Sequence, residues 1–67
     1  MFDEREFRKR LISAGLSVKE IAKAIGINEA TLYRKINGKS DFSRNEMSII
    51  KSVLSLNQDD FESIFFA

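Results

Sequence analysis

The chain has 67 residues, 43% of them hydrophobic, with 11 Lys/Arg against 10 Asp/Glu and neither histidine nor cysteine. That is one domain at most, close to the lower size limit for a chain that folds alone, with no disulfide or thiolate site to supplement its core. Without imidazole or thiol the commonest metal ligands and catalytic bases are missing, so no metal, no cofactor and no enzymatic activity are expected. The opening MFDEREFRKR is charged from its third residue and has no apolar run, unlike a signal peptide. Nothing approaches the roughly 18 apolar residues of a bilayer-crossing helix. The expectation is a single soluble domain over residues 1–67, in the cytoplasm.

Five segments share one pattern: an apolar residue, a capping residue, then an apolar residue four positions on. They are Phe2-Asp3-Phe7, Leu16-Ser17-Ile21, Ile27-Asn28-Leu32, Phe42-Ser43-Met47 and Leu56-Asn57-Phe61. Asp, Ser and Asn side chains accept hydrogen bonds from the free amides of a helix's first turn, each contributing roughly 1 kcal/mol. The flanking apolar pair is a hydrophobic staple, and Glu at the third helical position (Glu6, Glu20, Glu46) adds the acid of a capping box, in the strict sense behind Ser17 and Ser43. Five such signals predict five helices and an all-α bundle.

Helix 1 is predicted over Glu4–Ala14, burying Phe7 and Leu11 with Ile12 beside them, exposing Arg5, Arg8, Lys9 and Arg10, and stopping at Gly15. Helix 2 is predicted over Val18–Ile25, with Ile21, Ala22 and Ile25 as its apolar stripe. Gly26 supplies the left-handed position that ends it. Helix 3 is predicted over Glu29–Ile36, with Leu32 and Ile36 inward, Glu29, Ala30, Tyr33, Arg34 and Asn37 outward, and Gly38 closing it. Phe42 is expected to turn inward and hold the irregular stretch from Lys39. Helix 4 is predicted over Arg44–Leu54, burying Met47, Ile50, Val53 and Leu54. Helix 5 follows over Gln58–Phe65, with Phe61, Ile64 and Phe65 on one side.

Two short helices joined by a tight Gly-containing turn, Val18 to Gly38, form a helix-turn-helix unit. Charge supports that reading. Residues 1–4 carry two acids and no base, residues 5–39 carry nine Lys/Arg against three Glu, and residues 40–67 carry two bases against five acids. The unit therefore lies in the basic part of the chain, as contact with a polyanion requires, although basic residues also serve simply to solvate a helical surface.

The stretch GLSVKEIAKAIGINEATLYRKINGKSDFS, followed by EMSIIKSVLSLNQDDFESIFF, resembles the lambda-repressor-like helix-turn-helix domains, most closely the short phage Cro/C1-type regulators. The most specific matches are Ala22, Gly26 between Ile25 and Ile27, the block Thr31 to Gly38, and Ile64 to Phe66. In such domains Ala22 and Gly26 match positions where the two helices approach closely. Lys35 departs from the pattern, standing where many such units bury an apolar residue, and Ile36 takes over.

The resemblance implies a compact five-helix bundle whose third helix enters the major groove of double-stranded DNA while the second crosses the backbone. Its base-reading positions fall on Glu29, Ala30, Tyr33 and Arg34. Arg34 has two roles open to it, donation to guanine O6 and N7 or an ion pair. Glu29 either accepts from cytosine N4 or only favours the positive end of its helix. Ala30 offers an apolar contact with a thymine methyl, and Tyr33 a sugar or phosphate contact or packing at the domain edge. Backbone contacts are expected from Ser17, Lys19, Asn28, Thr31, Lys35, Asn37, Lys39 and Ser40, with Asn28 and Thr31 also serving the helix cap.

Cro-like domains act as dimers on pseudo-palindromic sites, and Ile49 and Phe66, off the predicted buried stripes, are the candidate dimer contacts. The expected function is a sequence-specific transcriptional regulator, a phage or prophage repressor in a bacterial cell. The alternative is an antitoxin-like protein-interaction module gripping a partner through the apolar C-terminal helix.

Overall fold

The computed structural model describes residues 1–67. It contains five helices, α1 (Glu4–Ala14), α2 (Val18–Ile25), α3 (Glu29–Ile36), α4 (Arg44–Val53) and α5 (Gln58–Phe65). Every expected cap is present. Side chains of Asp3, Ser17, Asn28, Ser43 and Asn57 accept from the amides of Glu6, Glu20, Thr31, Glu46 and Asp60. Reciprocal capping boxes close the starts of α2 and α4. In α1 the Asp3 amide is instead donated to the Ile64 carbonyl at 2.7 Å, and Glu6 turns to Lys9 and Arg10.

The opposite ends of α1 to α4 also share one solution. Gly15, Gly26, Gly38 and Ser55 have positive φ of 70°, 89°, 80° and 53°. Beyond each of them an amide reaches back five residues: Leu16 to Leu11, Ile27 to Ala22, Lys39 to Arg34 and Leu56 to Lys51, at 2.8–3.0 Å. This is the Schellman closure, which satisfies carbonyls the last turn leaves free. A Cβ at Gly26 would meet nothing within 4 Å. The expected crowding at Gly26 is therefore corrected: backbone conformation, not space, requires glycine there.

The core comprises Phe7, Leu11, Val18, Ile21, Ala22, Leu32, Ile36, Ile50, Leu54, Leu56, Ile64 and Phe65. Phe42 turns inward as expected, its ring 4.9 Å from that of Phe2 and 5.4 Å from that of Phe65. Two expected core positions are corrected. Ile12 is 79% exposed because only the Phe7/Leu11 side of α1 meets the core, and Val53 is 39% exposed because Leu54, four residues after Ile50, takes the inward place. Val18, by contrast, is buried one turn before Ile21 and Ala22.

Two polar ties hold the helices in register. Arg10 on α1 pairs with Asp60 on α5 at 2.7 Å. Hydrogen bonds to Glu6 first and Asp60 second push its pKa further above the ordinary value, so the guanidinium stays charged. The second tie joins α3 to α4 through Lys35 and Glu46 at 3.1 Å, with side chains only 13% and 14% exposed. The chain ends also meet, the Met1 ammonium donating to the Ala67 carbonyl at 2.8 Å.

Two stability predictions follow from these features. Ser55→Gly should raise the urea midpoint by the equivalent of about 0.5–1 kcal/mol, because it removes an L-residue from the left-handed region, whereas Gly26→Ala should lower it by about 1–2 kcal/mol. Glu46 gives the pH dependence. Its pKa is lowered chiefly by the Ser43 amide and further by Lys35. A carboxyl with a depressed folded-state pKa stabilises above its unfolded value, about 4.3, and loses that contribution as pH falls through the folded one. The stability gap between the wild type and Glu46→Gln, measured by urea unfolding, should therefore be largest near neutrality and narrow below about pH 4.

Candidate nucleic-acid interface

Three residues, Gly26 to Asn28, turn the chain from α2 into α3. The Ile27 amide returns to Ala22 and the Asn28 side chain caps Thr31, so both sides of the turn are fixed by hydrogen bonds. Leu32 and Ile36, four apart, are buried, which rolls α3 so that Glu29, Ala30, Tyr33, Arg34 and Asn37 face solvent. That exposed row follows the expected helical spacing. Eight residues of α-helix span about 12 Å, about the width of the DNA major groove.

Cations sort into two groups. Arg8, Lys9 and Arg10 on α1 pair with Glu4, Glu6 and Asp60, and Lys35 pairs with Glu46. Lys19, Lys23, Arg34 and Lys39, along the helix-turn-helix unit and the loop after it, have no acidic partner within 4.0 Å and are exposed. Arg5, Arg44 and Lys51 are also free of acids, although Lys51 donates to Gln58. Positive charge on α1 is therefore largely neutralised within the domain, while Lys19 and Lys23 on α2 and Arg34 on α3 are available to an outside anion. Lys23 belongs with Lys19, one turn later on the same helix face, and that four-residue spacing was the sequence signal for it.

The positions expected to read bases differ in what holds them. Arg34 is exposed and unpaired, and Glu29, the first residue of α3, carries no ion pair either. Ala30 leaves the surface open beside them. Tyr33 lies under Arg8, whose guanidinium carbon is 5.9 Å from the ring centroid. This contact between α1 and α3 was not legible locally, because it joins residues 25 positions apart. Arg8 thereby becomes part of the frame around α3.

Among the expected backbone-contact residues, Lys19, Asn37 and Lys39 are exposed, Ser40 is half-buried, and Asn28 and Thr31 meet each other through the cap. Two have other occupations. The Ser17 amide and hydroxyl both donate to the Glu20 carboxylate, at 3.0 and 3.1 Å. Lys35 donates to Glu46 and, at 2.9 Å, to the Asp41 carbonyl. Without DNA, capping chemistry thus occupies the donors of Ser17 and an internal ion pair the ammonium of Lys35.

Of the two candidate dimer contacts, Ile49 is half-buried and Phe66, which lines one cleft with the loop after α3, is 61% exposed. Val53, one turn beyond Ile49, extends the apolar row on α4. The apolar side of α5 is spent in the core, since Ile64 and Phe65 are buried and Phe61 packs against them.

No helix is long and apolar enough to cross a membrane. No solved structure matches the chain. An uncharacterized HTH-type transcriptional regulator of the archaeon Methanocaldococcus jannaschii is 34% identical over 55 residues, 82% of this chain and 32% of that protein. The chain thus spans about a third of that relative's length, and the archaeal source adds nothing to the expectation of a phage origin. Residues 6–64 match the Cro/C1-type HTH DNA-binding domain. With that match covering most of its length, and with an outward-facing second helix and free cations around it, the chain belongs to the Cro/C1-type helix-turn-helix family of DNA-binding, non-enzymatic domains.

Proposed function

We propose that the protein is a sequence-specific transcriptional repressor that places α3 in the major groove and holds the backbone through Lys19 and Lys39. The observation that carries this reading is the exposed row Glu29, Ala30, Tyr33 and Arg34, flanked by the unpaired cations of α2 and of the loop after α3. Arg34 supplies two donors to guanine, worth roughly 1–3 kcal/mol of discrimination, while phosphate contacts fix register without reading sequence. Repression follows from occupying a site that polymerase needs.

A second copy completes the reading. The longest dimension of the domain is 27 Å, whereas successive major-groove half-sites lie about 34 Å apart. Two copies joined through Ile49, Val53 and Phe66 reach both. The antitoxin-like alternative relied on an apolar C-terminal helix free to grip a partner, and the inward apolar side of α5 weakens it.

Selection from a random duplex library tests the proposal. It should return a pseudo-palindrome with half-sites about 10–10.5 base pairs apart; no enriched sequence would refute specific recognition. On the recovered site, Arg34→Ala should reduce affinity and discrimination together while the circular dichroism of the domain stays helical. Lys19→Ala should weaken binding alike on all duplexes and flatten the slope of log affinity against log salt by about one unit. Binding that ignores salt would point to a protein partner.

A further inference from the structure

We infer that Lys35 is a positioning residue for the DNA contacts of the loop after α3, a role that rests on the function proposed above. Its ammonium meets two different elements at once. It lies 3.1 Å from Glu46 at the start of α4 and donates at 2.9 Å to the Asp41 carbonyl within the loop. Glu46 is itself fixed, accepting from the Ser43 amide at 2.8 Å while its own amide donates to the Ser43 hydroxyl. The loop from Asn37 to Phe42 thus has its far end tied to α3 through one charge that is only 13% exposed. Its near end is tied by the Lys39 amide on Arg34.

The exposed polar residues of that loop are the ones aimed outward. Lys39 is exposed and unpaired, Asn37 is exposed two residues before it, and Ser40 beside it is half-buried. A flexible loop would lose side-chain and backbone entropy on meeting a phosphate, and a loop already held spends less of its contact energy on ordering. Lys35 stands between Arg34, which faces out, and Ile36, which faces the core. One residue therefore fixes the loop to the same helix that carries the reading face. Both members of the Lys35–Glu46 pair are far more sheltered than those of the other four ion pairs.

A double-mutant cycle on Lys35→Met and Lys39→Ala tests this, using full-chain protein and a mixed-sequence linear duplex, with the salt slope as the reading. Methionine keeps the unbranched stem and removes the charge. Each single variant should flatten the slope by about one unit, and the double variant by about one unit as well, because the first change already forfeits the Lys39 contact. A Lys35→Arg variant, keeping the charge, should restore most of the slope. A loss of about two units in the double variant would make Lys35 a phosphate contact in its own right and overturn the assignment. So would an unchanged slope in either single variant.

Should Lys35→Met fail to fold, Glu46→Gln decides: a loosened tie flattens the slope, and an unchanged or steeper slope refutes the inference. Failure of the wild type to bind the duplex at low salt would refute the proposed function itself. Wild-type binding with an additive cycle refutes only the role of Lys35.

Discussion

Unsatisfied peptide groups at helix ends are the constraint on which this domain depends. An α-helix leaves its first four amides and last four carbonyls without internal partners, and three of the five helices here have only eight residues. In such helices nearly every peptide group lies within reach of an end. Isolated helices of that length are unstable in water. Five side-chain caps at one set of ends and four left-handed closures at the other supply the missing partners, and every glycine in the chain is used in a closure. Residues outside the core, Ser17, Asn28 and Gly26 among them, thus stabilise α2 and α3 alongside the packing of their buried faces.

Packing then turns short helices into a rigid frame. A domain of this size is stable by roughly 3–10 kcal/mol at 0.05–0.15 kcal/mol per residue, and truncating a buried leucine such as Leu32 costs about 2–5 kcal/mol. The same residue that anchors α3 therefore accounts for much of the stability of the whole. Economy of this kind couples the exposed face of α3 to the core: Leu32 and Ile36 set the roll of α3, and the roll sets which side chains face outward. Tyr33 beneath Arg8 and Lys35 beside Glu46 add polar restraints on either side of that roll.

The helix boundaries were legible because caps and glycines are local signals, each contained in about six consecutive residues. Phe42 was legible for the same reason, as the staple partner of Met47. The departures arise where a choice depends on a distant element. Val53 and Leu54 are equally plausible continuations of a stripe through Ile50, and only the turn at Ser55 settles that Leu54 faces inward. Ile12 adjoins Leu11 in sequence, but α1 has a covered side too narrow for both. Lys35 looked like a surface cation because its partner comes eleven residues later, on another helix. Charge counts likewise overstate the field of the basic segment, since ion pairs on α1 are invisible until the fold is known.

The meeting of the two chain ends carries a topological consequence. The Asp3 amide on Ile64, the Met1 ammonium on Ala67 and the Phe2 ring against Phe65 make the backbone nearly a closed ring. Any sequence joined to either end emerges from the same corner, beside the exposed Phe66 ring. Two such extensions, one at each end, would be neighbours in space however far apart they are written along the chain.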